Sequence, residues 1–375
     1  MGGLIQFVIF LMSKSYNYAM RVLMISGDPG VLDPKSETGK RTEEYRQVFG
    51  TLDVLLCYGN IFRFISGFFR GLKLMRRRYD IITAQGVEHS LLAWIFSKLF
   101  YMPWQMQIHA DIFSPYFVRS SASNKMRVLL AKFLIPRADC IRVVSERIKS
   151  SLTAYGVRHT AINVLPIFVD TEKIRTAPIK TDLHKKYPGR FIILMASRIT
   201  REKNIGLAIE AMQGEKRRDS ISPLGGGSQN PLLLIVGDGP EKQNLEFRIK
   251  NLELEENVKF APYTEDLASY YKTCDLFLLT SNYEGYGRTL VEAAAVGAKI
   301  ISSDVGIAPK ILEPENIFKV GDKKDLADKL LVALAGPPRL ASGEAGQVKP
   351  PRPISIQTKD EYLRLYKKSF EICQI

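Results

Sequence analysis

Residues 280–306 read TSNYEGYGRTLVEAAAVGAKIISSDVG, and the fold prediction starts from this stretch. The apolar residues just before it, Asp275 to Leu279, have the composition of a short buried strand. A turn with Glu284 and Gly287 follows, and a helix is predicted to begin near Arg288. A strand, a glycine-rich turn and a helix in this order predict an α/β unit with an open helix N-terminus.

The predicted helix ends at Gly297 and leads into a second strand, Lys299 to Ser302. Free amides at a helix N-terminus attract anions, phosphate among them. Glu284 and Glu292 stand on either side of this predicted anion site, where carboxylates accept hydrogen bonds from hydroxyl groups. A phosphate between hydroxyl acceptors indicates a nucleotide-sugar as the ligand. The alternative is that both glutamates are solvated residues favoured by the helix dipole.

The same residues carry a resemblance to a known family. Ser281, Glu284, Gly285, Gly287 and Glu292 form the pattern Ser-x-x-Glu-Gly-x-Gly-x-x-x-x-Glu. This pattern resembles the signature of retaining GT-B glycosyltransferases of family four, also described as glycosyl transferases group 1. The resemblance implies an α/β fold with two Rossmann-like, doubly wound domains facing each other across a cleft.

The resemblance also implies an activity. A sugar would pass from a nucleotide-sugar donor, a UDP- or GDP-sugar, to a glycan or lipid-linked acceptor in the synthesis of cell-surface polysaccharide or glycolipid. The anomeric configuration would be retained, and the leaving diphosphate would receive the proton of the acceptor, so no pair of acid and base carboxylates is required. Two alternatives stay open: a non-catalytic GT-B protein that binds a sugar nucleotide, and a GT-B sugar-nucleotide epimerase.

Alternating short apolar strands and helices predict a parallel sheet in each half of the chain. We predict an acceptor-side domain over residues 21–175 and a nucleotide-sugar-binding domain over residues 185–355. Residues 1–20 are expected to lie outside the core, and residues 356–375 to form a helix that crosses back to the first domain, as the resemblance implies. The predicted strands are Arg21–Ser26, Asp53–Tyr58, Ile81–Ala84, Trp104–Ile108, Cys140–Val144, Ile162–Leu165, Phe191–Ala196, Leu232–Val236, Val258–Phe260, Leu276–Leu279, Lys299–Ser302 and Ile317–Val320.

The composition is typical of a globular protein, and the scattered cysteines predict reduced thiols. The 375 residues are 46% hydrophobic and 25% charged, close to the average for such proteins. Four cysteines and four histidines are scattered without the spacing of a zinc site, and no Asp-x-Asp pair accompanies them. We therefore expect no metal, no cofactor and a cytoplasmic location.

The positive charge is concentrated in the first half of the chain. The net charge is +14, and residues 1–170 hold 22 lysines and arginines against 12 acidic residues. The densest cluster alternates cations with apolar residues, and comprises Arg63, Arg70, Lys73, Arg76, Arg77 and Arg78 with Phe62, Ile65, Phe68, Phe69, Leu72 and Leu74. One expectation is an amphipathic helix that binds an anionic membrane, such as the inner face of the cell membrane. The other is a surface helix that packs on its own sheet. Because no nucleic-acid-binding motif accompanies the charge, no nucleic acid partner is expected.

Two cations lie in the predicted turn after the first strand of the second domain. Arg198 offers a planar fork and Lys203 a point charge, and both suit a diphosphate whose charge grows as it leaves. The pattern Arg-x4-Lys resembles the diphosphate-binding pair of the family, which implies a catalytic role for both residues beside Glu284. The alternative is a pair of solvated charges at the start of a helix.

The resemblance also assigns the contacts of the donor. Glu292 is assigned to the ribose, and Glu284 to the transferred sugar. The amides of Gly287, Arg288 and Thr289 are assigned to the diphosphate. Gly237 belongs to the next strand and turn, where a glycine allows the backbone to approach a nucleotide. Tyr263 lies at the position where the family holds the base.

Residues of the first domain are assigned less completely. His109 follows a predicted strand and resembles the histidine that contacts the donor sugar, which implies a catalytic role, with a structural histidine as the alternative. Asp111 is a candidate for the acceptor side. Gly27 and Gly39 belong to the acceptor-side loop after the first strand, where many relatives have paired glycines and this chain has Thr38-Gly39.

Overall fold

The computed structural model describes residues 19–59, 61–156, 162–219, 230–335, 348–352 and 357–374. The chain divides into two compact units. Of the described residues, the first contains 19–109, 121–165 and 359–374, and the second contains 110–120 and 166–358. Residues 1–18 of the predicted extension lie outside the described residues, and Met20, which was expected to lie outside the core, is buried in the first strand. Each unit is built on one six-stranded parallel sheet, so the predicted pair of Rossmann-like α/β domains is confirmed.

The strands agree closely with the predicted ones. They are β1 (Met20–Ser26), β2 (Gly50–Leu56), β3 (Ile81–Gln85), β4 (Trp104–Ile108), β5 (Cys140–Val143), β6 (Ile162–Val164), β7 (Arg190–Ala196), β8 (Asn230–Val236), β9 (Val258–Ala261), β10 (Leu276–Leu279), β11 (Ile300–Ser303) and β12 (Ile317–Phe318). The first sheet has the order β2-β1-β3-β4-β5-β6, and the second has the order β12-β11-β10-β7-β8-β9.

The helices cover both sheets. They are α1 (Glu37–Phe49), α2 (Ile61–Met75), α3 (Val87–Phe100), α4 (Pro115–Ser120), α5 (Ala122–Leu134), α6 (Glu146–Ala154), α7 (Thr171–Thr176), α8 (Leu183–Lys186), α9 (Ile205–Asp219), α10 (Lys242–Asn251), α11 (Leu267–Thr273), α12 (Arg288–Ala295), α13 (Ala308–Ile311), α14 (Lys323–Ala335) and α15 (Lys359–Glu371). None of the described helices is long and apolar enough to cross a membrane.

The chain between the two sheets belongs to the second unit from Pro166 onward, so the first unit ends earlier than the predicted residue 175. The contacts of this segment explain the difference. The amide of Lys180 donates to the hydroxyl of Ser269 at 2.8 Å, and the Lys272 ammonium donates to the carbonyl of Arg175 at 2.8 Å. These bonds fasten the connector to α11 of the second unit.

Helix α15 packs in the first unit. Its buried side chains are Tyr362, Tyr366 and Phe370, which recur every four residues and form one face. This face lies against α1, where the ring centroids of Tyr45 and Tyr366 are 4.2 Å apart. The helix also covers β4, because the side-chain amide of Gln105 donates to the carbonyl of Ser369 at 3.0 Å.

A disulfide joins Cys140 of β5 to Cys373, just after α15. The scattered cysteines led us to expect reduced thiols, and the structure has free thiols only at Cys57 and Cys274. The two bonded residues are 233 positions apart. Their pairing depends on the docking of α15 against the sheet, which no local spacing of cysteines can indicate.

Candidate functional site

Two loops of the second unit meet at the carboxyl ends of its central strands. The first loop follows β7 and the second follows β10, and these strands are paired in the sheet. The hydroxyl of buried Thr280 contacts the carbonyl oxygens of Lys203 at 2.9 Å and Asn204 at 3.0 Å. The amide of Asn282 donates to the carbonyl of Glu202 at 2.8 Å. These bonds fix the position of one loop relative to the other.

Lys203 and Glu284 form an ion pair in this position. The Lys203 ammonium lies 2.6 Å from Oε1 of Glu284, and the two side chains are only 15% and 14% exposed. The hydroxyl of Ser281 donates to the same oxygen at 2.8 Å, and Ser281 is itself held through its carbonyl by the hydroxyl of Ser303. Because little water reaches the pair, its charges act strongly on any group that binds beside them.

The N-terminus of α12 opens beside Glu284. Gly287 occupies the position before the helix with φ of +94°, a left-handed conformation that favours glycine, and no side chain caps the helix. In the first turn the amide of Leu290 donates to the carbonyl of Gly287 at 3.0 Å, whereas those of Arg288 and Thr289 have no acceptor within the helix. This geometry matches the predicted anion site.

Gly306 packs closely against the turn that contains Glu284. A Cβ at Gly306 would overlap the carbonyl of Tyr286 and lie 3.1 Å from Cβ of Glu284. The next amide, that of Ile307, donates to the Tyr286 carbonyl at 2.8 Å. The loop after β11 therefore holds the backbone on either side of Gly285, a contact that the spacing of the two glutamates does not reveal.

Glu292 lies in the second turn of α12, on the side of Arg288. Its side chain is 13% exposed and its Oε1 is 3.3 Å from the Arg288 guanidinium. Its Oε2 accepts a hydrogen bond from the hydroxyl of Tyr271 at 3.0 Å. Tyr271 was not among the predicted residues, because it belongs to α11 and only the tertiary structure brings it to Glu292.

Arg198 is not drawn into this cluster. Its side chain is 79% exposed, and its guanidinium is 3.5 Å from the carboxylate of Glu202. Such an exposed, long ion pair contributes little energy, so an anion can displace it. Of the two predicted cations, Lys203 contacts Glu284 and Arg198 does not.

Gly237 and Tyr263 flank the site in different ways. Gly237 follows β8 with φ of +143°, and a Cβ there would overlap the carbonyl of Ser197. The space that a side chain would need at Gly237 is therefore occupied by the Ser197 carbonyl, so the protein's own backbone requires a glycine there. Tyr263 follows β9 and its ring is exposed.

His109 follows β4 in the first unit, and its Nε2 lies 3.3 Å from Oε1 of Gln107. Desolvation by the surrounding atoms, with the positive charges of Arg142 and Arg41, lowers the pKa of His109 to about 3. The lowered pKa makes the imidazole neutral near pH 7, while the residue as a whole is exposed. A neutral imidazole can accept a hydrogen bond from a hydroxyl group.

The two acceptor-side glycines also meet protein atoms. A Cβ at Gly27 would overlap the ring of His89, and a Cβ at Gly39 would overlap the carbonyl of Asp33. Gly39 lies in the first turn of α1. The helix begins at Glu37 because the hydroxyl of Ser36 accepts a hydrogen bond from the Gly39 amide at 2.9 Å.

Asp111 lies just before α4, in the segment that belongs to the second unit. Phe117 of α4 packs edge-on against Tyr283, with ring centroids 5.5 Å apart. Tyr116 donates to the carbonyl of Val320 at 3.1 Å. The segment is thus fastened next to the Glu284 turn, which the prediction of Asp111 as an acceptor-side residue did not anticipate.

No cluster of three or more histidine, cysteine or acidic residues suited to a metal ion occurs in the part of the chain that the structure describes. The groups brought together at the carboxyl ends of β7 and β10 are the Lys203 ammonium paired with Glu284, the Glu292 carboxylate beside Arg288, and an open helix N-terminus. Such a set can bind an anion that carries hydroxyl groups.

Two family models match the chain. The model described as glycosyl transferases group 1 matches residues 179–346, and the glycosyl transferase 4-like domain matches residues 36–167. The first match includes the site residues from Arg198 to Glu292.

Curated relatives are glycosyltransferases. The 2-deoxystreptamine glucosyltransferase of Streptomyces kanamyceticus is 24% identical, over 62% of this chain and 62% of that protein. The lipopolysaccharide core biosynthesis mannosyltransferase LpsB of Rhizobium meliloti is 25% identical, over 61% of this chain and 64% of that protein. The match thus spans less than two thirds of the length of these relatives.

Solved structures share the fold. HepE of Anabaena, in complex with UDP and glucose, has a TM-score of 0.63 at 21% identity, over 84% of this chain and 92% of that one. Sucrose-phosphate synthase from Thermosynechococcus elongatus has a TM-score of 0.68 at 19% identity, over 95% and 94%. With both family models and two parallel sheets, these findings establish that the chain belongs to the group 1 glycosyltransferases of the GT-B fold.

Proposed function

We propose that this chain is a retaining glycosyltransferase that moves a sugar from a UDP- or GDP-sugar to a glycan or lipid-linked acceptor, in the synthesis of cell-surface polysaccharide or glycolipid. The observation that carries the proposal is the largely buried Lys203–Glu284 pair beside the open N-terminus of α12. The mannosyltransferase LpsB acts in lipopolysaccharide core biosynthesis, and HepE was solved with UDP-glucose, which supports both the acceptor class and the donor class.

The proposed reaction breaks the bond between the anomeric carbon and the diphosphate while the acceptor oxygen bonds to the same face of that carbon. The acceptor proton passes to the leaving phosphate oxygen. Lys203 and the amides of Arg288 and Thr289 stabilise the negative charge that grows on the diphosphate. Because these groups and Arg198 supply positive charge, we propose that the reaction requires no metal ion. Glu284 accepts hydrogen bonds from hydroxyl groups of the sugar, and Glu292 accepts them from hydroxyl groups of the ribose. The role of His109 stays a prediction.

The test compares matched substitutions at the two ends of the strands of the second sheet, the carboxyl ends that form the site and the opposite amino ends. Lys203→Met and Glu284→Gln remove the site charges, whereas Lys299→Met and Glu255→Gln change exposed residues that precede β11 and β9. Sugar transfer from UDP- and GDP-sugars to a glycolipid extract is measured. We expect a loss of about 100-fold or more in the site variants, and less than about twofold in the controls.

The same assay separates the two alternatives. A sugar-nucleotide epimerase would convert the donor into its epimer without an acceptor, and a non-catalytic protein would bind the donor and form no product. Either result would refute the transferase proposal. A transferase that loses activity equally in the site variants and the controls would refute the proposed site.

We also propose that the first unit binds an anionic membrane surface. Phe62, Ile65 and Phe69 of α2 recur at helical spacing and are all exposed, Phe62 by 76%. The opposite side of α2 packs inward, where a Cβ at Gly67 or Gly71 would overlap Cys57 or Phe96. The helix therefore packs on its own unit and still keeps an apolar stripe, so the two expectations for this cluster do not exclude each other.

The stripe continues on neighbouring helices. Helix α3 contacts both α2 and α5, and the rings of Phe68 and Phe96 stack with centroids 5.6 Å apart. The exposed apolar residues of α3 and α5 are Leu99, Phe100, Met126, Leu129 and Phe133. The exposed cations along the same helices are Arg63, Arg70, Lys73, Lys98, Lys125 and Lys132. Exposed apolar side chains among cations suit a bilayer that contains anionic lipids, as the inner leaflet of the cell membrane does.

Vesicle flotation tests this surface. The wild-type protein should float with phosphatidylglycerol vesicles and not with phosphatidylcholine vesicles, and salt should weaken the binding. The double substitution F62S/F69S should reduce binding about tenfold or more, because each exposed phenylalanine contributes about 1.5 kcal/mol or more when buried in the bilayer. Phe247→Ser, an equally exposed phenylalanine of α10, is the control. Equal binding to both vesicle types, or an equal loss in the control, would contradict the proposal.

A further inference from the structure

A buried tyrosine holds one oxygen of Glu292. The hydroxyl of Tyr271 lies 3.0 Å from Oε2 of Glu292, and Tyr271 is only 2% exposed. Its ring packs edge-on against Phe277 of β10, with centroids 5.4 Å apart. A side chain packed in this way cannot follow a moving partner, so the tyrosine determines where the carboxylate lies.

The direction of this hydrogen bond is defined. Burial, together with the negative charge of Glu292, raises the pKa of Tyr271 well above its ordinary value. The phenol therefore keeps its proton and donates, and Glu292 accepts. The other oxygen of Glu292 contacts only the half-exposed guanidinium of Arg288 at 3.3 Å in the described structure. That contact is at the solvent-facing side, where a ligand hydroxyl can replace it.

We propose that Tyr271 is a positioning residue that makes Glu292 selective for ribose over deoxyribose in the bound nucleotide. The inference rests on the proposed function, which assigns Glu292 to the ribose. With Oε2 committed to Tyr271, the carboxylate cannot rotate freely and presents Oε1 in one direction. A nucleotide that lacks the matching hydroxyl leaves Oε1, which the bound ligand shields from water, with only the 3.3 Å contact to Arg288, which is unfavourable for a charged acceptor. A carboxylate released from Tyr271 can turn toward water and tolerate the missing hydroxyl.

Nucleotide binding to the full-length protein tests this role without knowledge of the acceptor. Titration calorimetry is performed with UDP, 2′-deoxy-UDP and 3′-deoxy-UDP, and with the corresponding guanosine and adenosine diphosphates. The wild type should prefer the ribonucleotide by tenfold or more over at least one deoxy analogue. Tyr271→Phe should bind the ribonucleotide about five- to tenfold more weakly while its affinity for that analogue changes less than twofold, since only one hydrogen bond to a charged group is lost.

Two further variants make the readout specific. Tyr270→Phe removes a hydroxyl from the adjacent residue of α11, and no hydrogen bond of that hydroxyl occurs among the described residues, so its selectivity should equal that of the wild type. In a Glu292→Gln background, Tyr271→Phe should change selectivity less than twofold, because the partner that it positions is gone. Thermal unfolding midpoints of all variants establish that they fold.

The outcomes separate the inference from the proposed function. If the wild type binds none of the nucleotides, both are refuted. If it binds them and Tyr271→Phe keeps the wild-type selectivity, only the role of Tyr271 is refuted. An equal weakening of ribonucleotide and deoxy analogue would also refute that role, because a general structural defect does not distinguish the two ligands.

Discussion

At Gly237 the polypeptide comes so close to the loop after β7 that no side chain can be accommodated. Its φ of +143° is itself unfavourable for other residues, and a Cβ would overlap the Ser197 carbonyl. Gly297, at the end of α12, has φ of +73° but nothing within 4 Å of an added Cβ. An alanine at Gly297 would therefore meet only backbone strain, whereas an alanine at Gly237 would meet backbone strain and a steric overlap.

This contrast gives a stability prediction. Gly297→Ala should lower the free energy of unfolding by about 1–2 kcal/mol, the usual cost of a left-handed alanine. Gly237→Ala should cost about 3 kcal/mol or more, because the Arg198 loop must also move. Urea unfolding of the two variants measures the difference, and donor binding should weaken only in Gly237→Ala. Equal losses of stability would contradict the collision.

His109 should make the protein sensitive to mild acid. Its folded-state pKa of about 3 lies below the ordinary value of 6.5. Between these values an unfolded chain binds a proton that the folded chain does not, so stability falls as the pH falls through this window and is unaffected above it. His109→Asn should lose less thermal stability than the wild type between pH 7 and pH 4.5. Parallel melting curves of wild type and variant over this range would contradict the lowered pKa.

At the scale of elements, the parallel sheets were accessible to sequence reasoning because each strand is a short apolar run. Trp104–Ile108 and Leu276–Leu279 agree with the prediction at both ends. Helix starts were less accessible. The start of α1 at Glu37 depends on the Ser36 cap, a single hydrogen bond that the Gly39 amide donates to the Ser36 hydroxyl.

The candidate site shows the same division between local and tertiary information. Glu284, Gly287 and Glu292 belong to one contiguous motif, so their placement around the start of α12 was predictable. The pairing of Lys203 with Glu284 crosses 81 residues and follows from the pairing of β7 with β10. Tyr271 has no motif of its own. The exposed side chain of Arg198 contacts Glu202 and not Glu284, an arrangement that residue type does not determine.

The attachment of α15 to the first sheet gives a prediction at the element scale. In the protein isolated without reductant and then denatured, two of the four cysteines should react with a thiol reagent, and all four after reduction. Cys373→Ser should destabilise the protein by about 2–5 kcal/mol, because the disulfide closes a very long loop. Cys274→Ser, which changes a free thiol, should cost less than about 1 kcal/mol. Four reactive thiols before reduction would contradict the bond.

At the scale of the whole molecule, the two units have the same architecture and different chemistry. The first carries most of the net positive charge and an exposed apolar stripe on α2. The second carries the open helix N-terminus and both glutamates. Since similar sheets support both, the functions that we propose follow from the side chains at the strand ends and on the helices, and not from the architecture.

Nucleotide binding should therefore protect the second unit locally. At 100 times its dissociation constant, a nucleoside diphosphate stabilises the state that binds it by about 2.7 kcal/mol. Hydrogen exchange with UDP or GDP should slow most in residues 198–204 and 280–295, because the amides and loops that hold the diphosphate lie there. Lys203→Met should lose this protection at the same nucleotide concentration, and Lys299→Met should keep it. Protection confined to the strands of the first unit would place the diphosphate elsewhere and contradict the site, since a ligand slows exchange only where its binding opposes local opening.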